Sequence, residues 1–172
     1  MTSRFGDLPI ANPDRNIIDR AGNLRDYVAL PEISALNWPD EVVEQWPFDH
    51  AGNPSFIDDY GHLDLAEVQW AKELVPVSEF VDMPTGLSDA DFLSSVASGH
   101  RHYLSLRPQE IRDAWERRGT WLVPPILIAR RLIAPKESGL QVVEGRMRVG
   151  ILQGRIASAF DVAPALEAWV GR

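Results

Sequence analysis

The chain has no cysteine among its 172 residues, which excludes disulfide frameworks, thiolate zinc sites and cysteine nucleophiles. It has no apolar run near the roughly 18 residues that a membrane span needs. The opening Met1–Arg15 lacks the apolar segment of a secretory leader, so a cytoplasmic protein is expected. Gly-x-Ser-x-Gly and Walker-type Gly-rich loops are missing too, which removes the hydrolase nucleophile elbow and the P-loop. Neither an internal repeat nor a low-complexity tract is present. What is there is ordinary for a globular domain: 45% hydrophobic and 24% charged residues. The length is one domain's worth, enough to bury roughly 70% of the unfolded surface.

Charge is unevenly distributed. Residues 1–99 carry a net −13 and residues 100–172 a net +5, within a total of −8. Eleven of the twelve cations in the second part are arginine, whose planar fork suits phosphate and carboxylate better than the ammonium of lysine does. An anion site is therefore expected in the second part, set against the plainer reading of solvated Arg-rich surface helices.

The first 35 residues are turn-rich (Pro9, Asn12-Pro13, Gly22-Asn23, Pro31) and read as an irregular arm. Trp38–Trp46 reads as a short helix opened by Pro39 and two acids. Ala51–Ser55 is a turn, and Ser55–Leu65 is aromatic and acidic, with Tyr60 and Gly61 marking an irregular stretch. Glu67–Leu74 reads as either a short strand or a turn of helix, and Leu74–Phe80 as a strand held to a sheet edge by Pro76. Ser88 to Gly99 is a helix with acids in its first turn. His100–Arg107 reads as a loop or short strand. Pro108–Arg118 is an amphipathic helix stopped by Gly119, with Ile111, Ala114 and Trp115 on one face. Ile126–Ile128, Leu140–Val143 and Leu166–Val170 are strands, and Arg146–Gln153 is a short helix closed by Gly154.

A strand, the turn Glu144-Gly145, and a helix opening Arg146-Met147-Arg148 make an anion site in miniature. A helix N-terminus leaves N–H groups unpaired and carries partial positive charge. Gly145 removes the Cβ that would keep an anion off the backbone. Cations are disfavoured at that end unless something compensates them, and a bound anion would do so. Pairing of the two arginines with Glu137 or Glu144 is the structural alternative.

Here the sequence resembles the ParB/sulfiredoxin-like family. Leu74–Phe80 is similar to that family's opening strand. Pro108–Gly119 resembles its helix ending in Gly, Val123–Ile128 its Pro-Ile-apolar-apolar strand, and Leu140–Leu152 its strand followed by a Gly-x-x-Arg signature. The resemblance runs from Leu74 to the C-terminus, with Val81–Arg107 as an insertion. It implies an α+β fold: a small mixed sheet with flanking helices. It also implies a bacterial-type nucleotide-binding domain over residues 71–172, on which residues 1–70 pack as an acidic N-terminal extension. The nucleotide would be ATP or CTP, with Mg²⁺, held by Gly145, Arg146, Met147 and Arg148. Sulfiredoxin's cysteine is replaced by Arg146, which excludes that chemistry. No room is expected after the motif helix for the helix-turn-helix module of partition proteins. Kinase-like relatives place a carboxylate near the opening strand, which makes Glu79 the candidate general base, with Asp82 beside it. Glu144 is the candidate base or Mg²⁺ ligand.

Other clusters carry weaker readings. His100 and His102 would face one side of a strand and could serve as a lid or substrate contact near the phosphates. Asp58, Asp59, His62 and Asp64 form a loose acidic group without EF-hand or His-Glu-x-x-His spacing, and no protein metal site is expected. Trp38, Trp46 and Trp121 read as partly exposed, an aromatic-acidic surface suited to a basic partner. The leading expectation is nucleotide binding, coupled to hydrolysis or phosphoryl transfer if the protein is an enzyme. The alternative is a non-catalytic protein-binding module of antitoxin or immunity type, using the acidic first part. A third reading, a nuclease or nucleic-acid binder, is opposed by the overall acidity.

Overall fold

The structure is a computed structural model that describes residues 3–11 and 22–172. The Asn12-Pro13 turn of the sequence reading lies outside the described residues. Four strands form one mixed sheet: β1 (Trp70–Pro76), β2 (Ile126–Ala129), β3 (Leu140–Glu144) and β4 (Ala165–Gly171), in the order β1-β4-β2-β3. The last strand runs antiparallel to β1 and parallel to β2, and β2 pairs antiparallel with β3. Pro76 sits, as expected, on an outer strand, where a missing N–H costs no ladder bond on its open side.

The described residues hold eight α-helices. They are α1 (Leu24–Val28), α2 (Pro31–Ser34), α3 (Asp40–Val43), α4 (Pro54–Tyr60), α5 (Phe92–Ser98), α6 (His100–Ser105), α7 (Gln109–Arg118) and α8 (Arg146–Ala157). The mixed α and β character expected from the sequence is therefore present.

Strand side chains alternate between faces, and here both faces are covered. Ile126, Ile128 and Val143 join an aromatic core with Phe5, Tyr27, Trp46 and Tyr60 from the N-terminal part. Leu127, Val142, Ala168 and Val170 join a second core with Leu93, Trp115 and Val149 from the helices. Coverage on both sides explains why Ile126-Leu127-Ile128 is continuously apolar instead of alternating.

Several local expectations need correction. Trp38, Trp46 and Trp121 are all buried, so the aromatic half of the imagined partner surface lies in the cores. Ser55–Tyr60 is helical, in α4, where Asn53 caps the helix by accepting a hydrogen bond from Ser55 N–H at 3.0 Å, and the irregular stretch begins only at Gly61. The first strand starts at Trp70, so the strand alternative for Glu67–Leu74 holds from that residue on, and Val77–Phe80 coils into a 3₁₀ turn instead of extending the strand. His100–Arg107 is helical over α6, with His100 and Leu104 inward at helical spacing. Gly154 does not end the last helix, which continues to Ala157. A Cβ at Gly154 would stand 2.4 Å from Ala97 O, so its role is to let α8 lie against α5. After α3 the chain widens into a π-helical turn, Glu44–Phe48, around Pro47, which has no N–H to give the α-helical ladder. No helix among the described residues is long and apolar enough to cross a membrane.

Candidate functional site

Gly145 joins the end of β3 to α8 in the left-handed region, at φ 86°. An L-residue is disfavoured there, and space forbids one too: a Cβ would stand 2.6 Å from Pro125 Cβ and 2.9 Å from Arg148 Nε. The first backbone bond of α8 runs from Val149 N–H to Gly145 O at 3.0 Å. The N–H groups of Arg146, Met147 and Arg148 therefore have no partner within the helix, and no side chain caps this end.

The two arginines of the turn have different lives. Arg146 is already neutralised: it pairs with Asp89 and lies between the rings of Phe56, at 4.9 Å, and Phe92, at 5.2 Å. Arg148 folds back over Gly145. Its Nη1 donates to Val123 O at 2.9 Å and its Nη2 to Gln45 Oε1 at 2.8 Å. Both acceptors are neutral, and the nearest carboxylate oxygen, on Glu144, is 3.8 Å away. Burial lowers the Arg148 pKa below the usual guanidinium value, and Glu144 only partly counters that. Arg148 is thus a half-buried cation that donates to two neutral oxygens and pairs with Glu144 only at the long distance of 3.8 Å, so the pairing with Glu144 offered as the structural alternative is present in weak form.

Glu144 is held by His50, whose Nε2 lies 3.2 Å from its carboxylate and whose ring stacks on Phe56 at 4.1 Å. Burial pushes the Glu144 carboxyl up. The His50 hydrogen bond, the Gly145 N–H and the charges of His50 and Arg148 together outweigh it, leaving the pKa below the ordinary value. Next to Glu144, burial raises the pKa of Asp49. On the other side of Arg148, a cleft of about 250 Å³ is lined by Met147, Arg148, Ile151, Trp121 and Val123.

Glu144, Gly145, Met147 and Arg148 therefore stand together, and Arg146 is beside them but engaged elsewhere. Glu79 is not brought to the turn; it is exposed in a cleft with Glu73, Arg131 and Arg172 at the β1 edge. Asp82 is exposed beyond the 3₁₀ turn. His100 is buried against Gly154, toward the far end of α8, while His102 is exposed, because residues two apart on a helix face nearly opposite ways. Asp59 accepts from Ser88 N–H and Oγ–H, each at 3.0 Å, and Asp64 caps a 3₁₀ turn through Ala66 N–H. Among the described residues, no group of three or more His, Asp or Glu could hold a metal ion.

Gln45 and His50 were missed by the sequence reading. Both come from the first part of the chain, and no motif marks them. The only signal was that Trp38–Trp46 reads as a helix needing a partner surface. No protein-family model, no curated protein and no solved structure matches this chain.

Proposed function

We propose that the chain binds a nucleoside triphosphate, ATP or CTP, at the Gly145 turn, with Arg148 as the phosphate-binding side chain and the fold a ParB/sulfiredoxin-like variant. The observation that carries this reading is the state of Arg148. A guanidinium whose two direct acceptors are neutral oxygens, and whose carboxylate neighbour stands off at 3.8 Å, gains Coulomb attraction from an oxyanion placed against it. The uncapped N–H groups of α8 and the missing Cβ of Gly145 support it from the backbone side. The chain order of strand, helices, two strands, glycine turn, helix and strand supports the fold reading.

The residues fit a phosphate by type. The nucleotide would supply a phosphoryl group, and Mg²⁺ would come with its phosphates, since no cluster among the described residues is placed to hold the ion. Arg148 and the α8 N–H groups would bind the phosphates, and the apolar cleft beside Met147 would exclude water from one side. Arg146 would hold the turn in place through Asp89. Hydrolysis or phosphoryl transfer would draw on Glu144, the carboxylate at the turn; Glu79 is remote from it.

Calorimetric titration of ATP and CTP, each with Mg²⁺, into the wild type and Arg148→Ala tests the reading. Micromolar to low-millimolar binding that Arg148→Ala weakens at least tenfold is expected. Equal affinity in the two proteins removes the site.

A further inference from the structure

A second concentration of positive charge lies at the opposite end of α8. A cavity of about 390 Å³ opens between α6, α7 and the last turn of α8, with Arg101, Arg112, Arg155 and His100 in its wall and Leu104 and Phe160 as its apolar floor. The one carboxylate lining it belongs to Glu116. This is an excess of two positive charges in a protein whose net charge is −8.

Each cation has a distinct position. Arg155 is 3% exposed and crosslinks the helices: Nη1 meets Glu116 at 3.0 Å, and Nη2 donates to Trp115 O at 3.3 Å and Asp161 O at 3.2 Å. Arg101 lies over the Phe160 ring at 4.9 Å, and Arg112 is held by two neutral acceptors, Ser105 O and Gln109 Oε1. Among the described residues, neither Arg101 nor Arg112 has a carboxylate within ion-pair distance. One buried donor in the wall also lacks a partner, Arg155 Nε–H. His100 donates its Nδ1–H to Ala97 O at 3.0 Å, which leaves Nε2 of the neutral ring an acceptor and no contact for an anion. Like charges crowded at a partly desolvated cavity oppose one another, and unpaired buried nitrogens are rare enough to need a reason.

We propose that this cavity binds a small organic oxyanion, its charged head between Arg101 and Arg112 and its apolar body on Phe160 and Leu104. Arg155 forms a fixed positive part of the wall, and the cavity volume falls in the range of small-molecule sites. The site is separate from the Gly145 turn: Arg155 lies ten residue steps along the helix from Gly145, about 15 Å of rise. It does not depend on nucleotide binding at that turn.

The test is titration of phenyl phosphate and of benzoate, at constant ionic strength, into wild type, the Arg101→Ala/Arg112→Ala double variant and Arg148→Ala, followed by calorimetry. Saturable binding of at least one probe is expected, tenfold or more weaker in the double variant and within twofold of wild type in Arg148→Ala. The tighter probe identifies the head group as phosphate or carboxylate. Arg101 is exposed and Arg112 half-buried, so the double variant keeps its fold, checked by circular dichroism. If it does not, Arg101→Gln alone gives the same reading with a threefold or larger loss. Absence of saturation with both probes overturns the proposal, as does affinity unchanged by the Arg101 and Arg112 substitutions. Loss of binding in Arg148→Ala overturns it too, because the anion would then sit at the other end of the helix.

Discussion

Gln45 and Arg148 are 103 residues apart in the chain and 2.8 Å apart in the fold, carboxamide oxygen to guanidinium nitrogen. Gln45 stands on the π-helical turn that follows α3, so the N-terminal part reaches into the glycine turn of the second part. If Arg148 binds phosphate, Gln45 competes for it. Gln45→Ala is expected to tighten ATP or CTP binding about ten- to a hundredfold, the scale of one hydrogen bond to a charged group. Gln45→Glu is expected to weaken binding at least tenfold by giving Arg148 a permanent anionic partner. Calorimetric affinities of the two variants, moving in opposite directions, check this.

Gly145 and Gly139 share a backbone conformation, φ 86° and 81°, but not surroundings: a Cβ at Gly139 meets nothing within 4 Å, whereas one at Gly145 meets Pro125 and Arg148. Gly139→Ala should lose only the left-handed penalty, about 1–2 kcal/mol, a fall in Tm of roughly 2–8 °C for this chain length. Gly145→Ala should lose clearly more. Equal melting shifts in a thermal denaturation series would mean that the turn relaxes away from Pro125.

Glu144 links acidity to stability. Its folded pKa lies below the ordinary carboxylate value, so the unfolded chain binds its proton first as pH falls. Its contribution is complete above the unfolded value, about 4.3, and is lost as pH falls through the lower folded value. Glu144→Gln is therefore expected to be less stable than wild type at pH 7 and to approach it below pH 4. Denaturant midpoints of both proteins across that range check the sign.

Much of the second part was legible from its residues because the signals there are local. Pro108 and Gly119 bracket α7, and Ile126–Ile128 can be continuously apolar only if both faces of its strand are covered. The helix after Gly145 was legible as well, but not its end, because Gly154 reads as a stop and acts as a contact with Ala97 O. His100 and His102 were misread for a related reason. A short segment after Gly99 carries no periodicity strong enough to separate strand from helix, and packing against α8 decided it. The site was half legible: glycine, arginine and glutamate lie within five residues. Gln45, His50 and Asp89, which fix the state of Arg148, Glu144 and Arg146, are distant in sequence and ordinary in type, and only the tertiary fold brings them there.

The two arginines of the turn give the sharpest test, because the structure separates them. Arg146 is paired with Asp89 and stacked between two rings, and Arg148 rests on neutral oxygens. ATP and CTP, each with Mg²⁺, should be titrated calorimetrically into wild type, Arg146→Ala and Arg148→Ala, with the Tm of each variant recorded. The account predicts that Arg148→Ala loses at least tenfold in affinity while staying folded, and that Arg146→Ala loses mainly Tm. Unchanged affinity in Arg148→Ala, or no binding of either nucleotide to the wild type, would contradict it.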